Sequence, residues 1–176
     1  GAWWRYGAVL ALGQWLQRAY LVLTGSFLLV AVPVFSFLLY GALVRSAQMA
    51  GGLEFLLSQS VKYVTERVQF GRPLASFQAI QHQLALLAGH TAAAGIAAQK
   101  GFAAMDAGDA GFEIACAKIR TGEAAGLGAG IAHQCHGAIG FTYEHSLHFV
   151  TRRLWSWRAE FGSESAWACG SETTTE

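Results

Sequence analysis

Gly71-Arg72-Pro73 lies between two long runs of helical apolar spacing, and a single helix cannot pass through it. Gly71 suits a helix C-terminus, because glycine takes the left-handed conformation without a Cβ penalty. Pro73 cannot continue a helix, yet it fits the first turn of a new one. The stretch from Tyr63 to Gln81 is therefore expected to end one long helix and start another. It carries Arg67, Gln69, Arg72, Gln78 and Gln81. Cations and amides gathered at a bend suit an anionic, heterocyclic ligand.

Residues 41–71 read as the helix before this corner. Leu53, Leu57, Val61, Val64 and Val68 recur at steps of four and three and form one apolar stripe, with Lys62, Glu66 and Arg67 off it. The helix after the corner runs from Leu74 to about Met105, with Phe77, Ile80, Leu84, Leu87 and Thr91 on its buried face and an alanine-rich second half. Gly108 can close that helix and Asp109 can cap the next, which is expected to run to about His136. On this third helix Gly122, Gly126 and Gly130 stand four apart, a spacing that lets a neighbouring backbone come close. Thr142 is the expected N-cap of a fourth helix, with Glu144 in its first turn and Leu147, Val150, Leu154 and Trp157 at helical spacing. The expectation is an all-α fold: an up-down four-helix bundle of long helices over residues 41–169. A hydrophobic N-terminal segment, residues 1–40, precedes it, and a tail expected to be disordered, residues 170–176, follows.

The charged fraction is 13%, the hydrophobic fraction 53% and the net charge +1 in 176 residues. Nucleic acid favours concentrated basic patches, so it is not an expected partner. Cys116, Cys135 and Cys169 are odd in number and form no CxxC, which points to a reducing, cytoplasmic compartment rather than a disulfide scaffold. The first residue is Gly rather than Met, which suggests a fragment. Ala19–Val44 holds 26 residues without a charge, bounded by Arg18 and Arg45 and interrupted by Gly25, Pro33 and Gly41. About 20 apolar residues span a bilayer, so membrane association through this run stands beside the reading of a buried helix or strand pair packed on a partner domain.

Five motifs share one order along the chain: Tyr63-x3-Arg67-x-Gln-Phe-Gly71, Phe77-Gln78-x2-Gln81-His82-x-Leu84-Ala85, Ala117-Lys118, Gln134-x2-Gly137-Ala-x-Gly140-Phe-Thr, and Arg152-Arg153-Leu-Trp-x-Trp-Arg-x-Glu-Phe-Gly162. In that order and spacing, over residues 41–168, the chain resembles the C-terminal helical domain of the acyl-CoA dehydrogenase family. The family is flavin-dependent and oxidises acyl-CoA thioesters to 2,3-enoyl-CoA, with an α-proton removed by a carboxylate and hydride passing to FAD. Its usual N-terminal helical and middle β domains have no counterpart in this sequence. The resemblance thus implies a subunit or fragment that completes its site in a homo- or hetero-tetramer, with acyl-CoA as substrate and an electron-transfer acceptor.

By that resemblance Arg67 contacts the FAD pyrophosphate of a neighbouring subunit, since a guanidinium offers a fixed fork of donors to phosphate oxygens. Phe70 flanks it in the motif. Gln78 reaches the adenine end, where an amide can donate and accept together. Gln134, Gly137, Ala138 and Gly140 stand for the family's Gln-x2-Gly-Gly-x-Gly loop, with Ala138 replacing the second glycine and adding one methyl. The commonest family base is a glutamate just before a Gly-Thr. Ungapped on Gly162, that place holds Phe161. Glu160, one residue earlier, is the candidate base, and the alternative is a surface carboxylate paired to Arg158 or Arg153. A second family position for the base falls near Gly41 and offers no acid. A member without a base could be one half of a mixed tetramer. His133-x2-His136 and His145-x2-His148 have the spacing of metal pairs, but neither comes with a cysteine or carboxylate at metal spacing, so no metal is expected. The competing reading is a non-catalytic partner or a membrane-anchored assembly module that has lost the site.

Overall fold

The computed structural model describes residues 3–108 and 110–171, with side chains placed for residues 31–108 and 110–169. Two compact units divide the chain, Gly1–Leu38 and Leu39–Glu176. The elements run in the order α1 (Trp3–Glu66), β1 (Val68–Gln69), β2 (Arg72–Pro73), a 3-10 turn (Leu74–Ser76), α2 (Gln78–Ala107), α3 (Gly111–His136), a second 3-10 turn (Gly137–Phe141), α4 (Leu147–Ala159) and α5 (Glu164–Ser171). The first unit is helical over its described residues, Pro33 lies inside the helix, and Val32, Val34, Phe35, Phe37 and Leu38 are exposed. By length and composition alone, Ala31–Glu66 is apolar enough to cross a membrane.

In the second unit α1–α4 form the four-helix bundle. Met49 and Leu56 of α1 pack with Ala125 and Ala132 of α3 and Leu147 and Leu154 of α4. Ala50 and Leu53 pack with Leu87, Ala94 and Ala98 of α2 and Ala124 of α3. A third cluster joins Ala42, Leu43 and Ile114, with Phe161 and Trp167 against it. Because α1 is covered by three helices, its buried stripe runs through Met49, Leu53, Leu56, Ser60 and Val64, whereas the expected members Val61 and Val68 are exposed.

The corner differs from a simple helix–helix turn. α1 stops at Glu66, and the Arg67 N–H closes its last turn on the Tyr63 carbonyl at 2.9 Å. β1 then pairs antiparallel with β2, Val68 opposite Pro73 and Gln69 opposite Arg72. Phe70 (φ 53) and Gly71 (φ 78) make the connection. Two consecutive positive φ values are what a tight two-residue hairpin demands, which is why glycine stands there. Gly71 therefore serves a hairpin rather than a helix end, and Pro73 lies in β2 rather than in the first turn of α2.

Gly108 closes α2 in the left-handed conformation, as expected. The suggested Asp109 cap and residues 172–176 of the tail lie outside the described residues. Thr142 does not cap α4: it ends the second 3-10 turn, its N–H and hydroxyl both donating to the Ile139 carbonyl, and α4 begins only at Leu147. Gly122 and Gly126 do not admit a helix backbone. A Cβ on them would meet the side chains of Glu164 and Arg158, while Gly130 has open space. The close approach is at Gly128, under Leu53 and Leu87. The short helix α5 was not expected. Its Glu164 accepts from Arg158 Nε at 2.7 Å, and Trp167 Nε1 donates to the Phe161 carbonyl at 2.9 Å. Burial alone would raise the Glu164 carboxyl. The bond from Arg158, with the charges of Arg158 and Lys118, outweighs that and holds it below its ordinary value.

Candidate functional site

The hairpin carries the first group of candidate residues. Phe70 is 89% exposed at its tip, open to be covered by another surface. Its ring meets Phe77 edge-on at 6.1 Å, and the Arg72 guanidinium lies 4.1 Å above the Phe77 ring. Arg67, just past α1, and Gln78, the first residue of α2, are both exposed. Among the described residues Arg67 makes no ion pair and the Gln78 amide no hydrogen bond. Gln81, by contrast, is committed: its amide donates to the Ala75 carbonyl at 2.9 Å and braces the 3-10 turn.

The second group sits where α3 ends. Gln134 lines two open grooves. One, of about 460 Å³, runs between α2 and α3 past Ile80, Gln83, Gly126 and Gly130. The other, of about 500 Å³, is bordered by His133, Gly137, Phe141 and Trp155. Gly137 has φ 64 and ψ −143, a glycine conformation that turns the chain off α3. Ala138 is exposed, so its extra methyl meets solvent. Gly140 is buried, and a Cβ there would come within 3.0 Å of His136 Cβ and 3.1 Å of Leu147 Cδ2. Close packing within the chain is thus sufficient reason for this glycine.

Four histidines surround this turn. Tyr63 stacks on His136 at 4.4 Å, His145 meets His136 edge-on at 4.8 Å, and His133 stacks on Phe141 at 4.4 Å. Three rings use one nitrogen each: His136 Nδ1 donates to the Ala132 carbonyl, His148 Nδ1 donates to the His145 carbonyl, and His133 Nε2 bonds Thr151 Oγ1. No cluster of three or more His, Cys, Asp or Glu able to hold a metal occurs among the described residues.

The third region is the α4–α5 turn, where the candidate base lies. Both carboxylate oxygens of Glu160 are engaged, one by the Ser156 hydroxyl and one by Arg45 of α1. Arg45, rather than Arg158 or Arg153, is therefore its ion-pair partner. Phe161 (φ 56) lays its ring against Gly41, where a Cβ would collide with it. The two places at which the resemblance puts a carboxylate thus hold a packed pair, a glycine and the aromatic ring that fills its space. Below them lies a residue without an expected role. Lys118 is fully buried, and its ammonium donates to the carbonyls of Trp157 (3.3 Å), Arg158 (2.8 Å) and Gly162 (2.8 Å). A legible signal was available for it: Lys118 falls in register with Ile114, Thr121 and Ala125 on the buried stripe of α3, and a lysine on such a stripe must find acceptors.

Comparison with known proteins agrees with this architecture. The family model for the acyl-CoA dehydrogenase C-terminal domain matches residues 34–165. The acyl-CoA dehydrogenase IpdE2 of Mycobacterium tuberculosis is 36% identical over 112 residues, which is 64% of this chain and 34% of that protein. The structure of the glutaryl-coenzyme A dehydrogenase glutaryl-CoA complex superposes with a TM-score of 0.74 at 32% identity, over 77% of this chain and 35% of that one. A chain of the ChsE4-ChsE5 complex from Mycobacterium tuberculosis superposes with a TM-score of 0.71 at 25% identity, over 84% of this chain and 41% of that one. The chain thus spans roughly a third of the length of the first relatives it matches. With the model spanning the whole bundle, this chain belongs to the acyl-CoA dehydrogenase family, in the part that forms its C-terminal domain.

Proposed function

We propose that the chain is the C-terminal helical domain of a FAD-dependent acyl-CoA dehydrogenase, and that it holds part of the FAD across a subunit interface. The observation that carries this reading is the hairpin corner. Arg67 and Gln78 present unpaired polar ends beside a Phe70 ring left almost wholly open. Such residues fit an anionic, heterocyclic group brought by another subunit: Arg67 toward phosphate, Gln78 toward an adenine edge, Phe70 as a cover. Gln134, Gly137, Ala138 and Gly140 would form the second contact, through the Gln134 amide and the turn backbone. When bound, FAD would supply the hydride acceptor for α,β-dehydrogenation of an acyl-CoA thioester. Assembly as a homo- or hetero-tetramer and an electron-transfer acceptor complete the proposal, and three free cysteines support a reducing, cytoplasmic setting.

The visible absorbance of the protein, co-purified with the domains or subunit that complete it, tests this. Flavin bands are expected, and Arg67→Ala should weaken FAD binding by about 10- to 100-fold, the worth of a charge-assisted bond to phosphate. An assembled protein with no flavin bands would overturn the reading.

A second observation bears on the base. Glu160 is tied to Arg45 and Ser156, and Phe161 occupies the expected glutamate position with Gly41 beneath it. Glu160 can act as base only if acyl-CoA displaces Arg45. Otherwise the carboxylate comes from an unlike subunit, and a complex of two unlike chains exists among the relatives. Glu160→Gln separates the two. Turnover should fall by about 10²-fold or more if Glu160 takes the proton, and should stay within about threefold if a partner does.

A further inference from the structure

Three buried imidazole nitrogens, His133 Nδ1, His136 Nε2 and His148 Nε2, have no hydrogen-bond partner among the described residues. Two of them lie against the 3-10 turn Gly137–Phe141. The His133 ring is stacked on Phe141. Gly140 rests on His136, and a Cβ on it would lie 3.3 Å from His133 Nδ1. The groups around His136 come from every element packed on it: Tyr63 from α1, His133 and Cys135 from α3, His145 from the loop before α4 and, further along, His148 on α4, whose ring Tyr143 meets edge-on. Glu144, next to His145, is exposed. The charges acting on His136 are those of His145 and His133, both of the wrong sign for a cation. His145 Nδ1 accepts the Leu147 N–H that starts α4.

We propose that the His133–His136–His145 cluster is an acid-released clasp on the Gly137–Phe141 turn: neutral rings hold the turn on the bundle, and protonation lets it open. A proton on His133 Nδ1 or His136 Nε2 would be a buried donor with no acceptor, costly wherever water is excluded. Charges on both His136 and His145 would stand on rings only 4.8 Å apart. Opening the turn relieves both. Burial, above all, pushes His133 and His136 below their ordinary value. Around His136 the neighbouring histidines push the same way, and only its bond to the Ala132 carbonyl opposes. The sign follows: a histidine held low when packed binds its proton better when released, so the packed state loses ground as pH falls through about 6.5. The clasp stands on the chain's own rings. Its consequence, acid weakening of the contact made by Gln134, Gly137 and Ala138, rests on the flavin reading.

Hydrogen exchange on the full chain without flavin tests the clasp and keeps its fate separate from that reading. Between about pH 7.5 and about pH 5.5, corrected for intrinsic rates, the amides of residues 137–141 should lose protection about tenfold, the effect of one proton taken up only on opening at about one pH unit below the ordinary histidine value. Those of α2 should not. His136→Asn, which keeps a donor for the Ala132 carbonyl, and His133→Gln, which keeps one for Thr151, should each remove most of that response. Unchanged protection at residues 137–141, equal loss in α2, or an undiminished response in both variants would overturn the proposal. Should the variants not fold, the imidazole C2–H titrations of the wild-type protein decide. His133 and His136 titrating below about 6.5 together with the opening supports the clasp, and both titrating at the ordinary value overturns it.

Discussion

Lys118→Met should destabilise the chain by about 3 kcal/mol, an estimate from the ~1–3 kcal/mol cost of each buried polar group left unpaired. The substitution keeps an unbranched, buried side chain of similar length but removes every donor. The carbonyls of Trp157 and Arg158, at the end of α4, and of Gly162, in the turn, lose their partner together. Helix C-terminal carbonyls have no intrahelical donor, so a buried ammonium is an efficient cap there, with a charge of the sign the helix dipole favours. Total stabilities of ~5–15 kcal/mol make such a loss large. Urea denaturation measures it, and a midpoint equivalent to less than about 0.5 kcal/mol of change would show that water or a neighbour replaces the ammonium.

The same variant carries a pH signature. Burial, opposed by Glu164 and Glu160 and assisted by Arg158, holds the Lys118 ammonium below its ordinary value of 10.5. The unfolded chain therefore keeps its proton to higher pH than the folded one, and wild-type stability gains from this group as pH rises toward 10.5. The Met variant should lack that gain. Lys118 also fixes the turn in which Glu160, Phe161 and Gly162 follow one another, with positive φ at the last two. Its loss should loosen the segment that carries the candidate base, so the variant tests the packing of that turn as well as its stability.

The contrast between Lys118 and the hairpin shows what could be read from the residues. Long apolar periods declared the helices, and α2 and α3 end where Gly108 and Gly137 allow. The order of the motifs carried the family, because order and spacing survive where single motifs do not discriminate. What periodicity could not convey was which stripe of α1 is covered. Val61 and Leu57 stand in the same period as Leu56 and Ser60, and only the arrival of α2, α3 and α4 around the helix selects among them. The corner misled for a local reason. Gly-Arg-Pro satisfies both a helix end and a hairpin, and the choice turned on Phe70 accepting a positive φ, which its residue type does not announce. The α3 glycines misled for a tertiary one. Glu164, on the unexpected helix α5, returns to α3 and fills with Arg158 the space that Gly122 and Gly126 leave. Arg67 and Gln78 entered through the order of the motifs and not through periodicity, and the structure leaves both exposed.

At Gly128 of α3 the side chains of Leu53 from α1 and Leu87 from α2 press on the backbone, and this contact supplies a coupled prediction about the core that places the site elements. Leu53 is fully buried there, so Leu53→Ala should cost about 3 kcal/mol, within the ~2–5 kcal/mol range for such truncations. A methyl added at Gly128 would lie 2.5 Å from Leu53 Cδ2 and 3.0 Å from Leu87 Cδ1. Gly128→Ala alone should therefore destabilise by about 1 kcal/mol, an overpacking cost of ~1–3 kcal/mol partly offset by the ~1 kcal/mol that alanine gains over glycine in a helix. In the double variant the shortened Leu53 vacates the space that the new methyl needs. The clash then disappears, the helix gain remains and part of the cavity is filled. The double variant should be about 1–2 kcal/mol more stable than the sum of the two single effects implies, a coupling of the size expected for residues in contact. Urea unfolding of all four proteins measures it. Additivity within about 0.5 kcal/mol would mean that Leu53 and Gly128 do not share a contact, and that α1 packs on α3 in some other register.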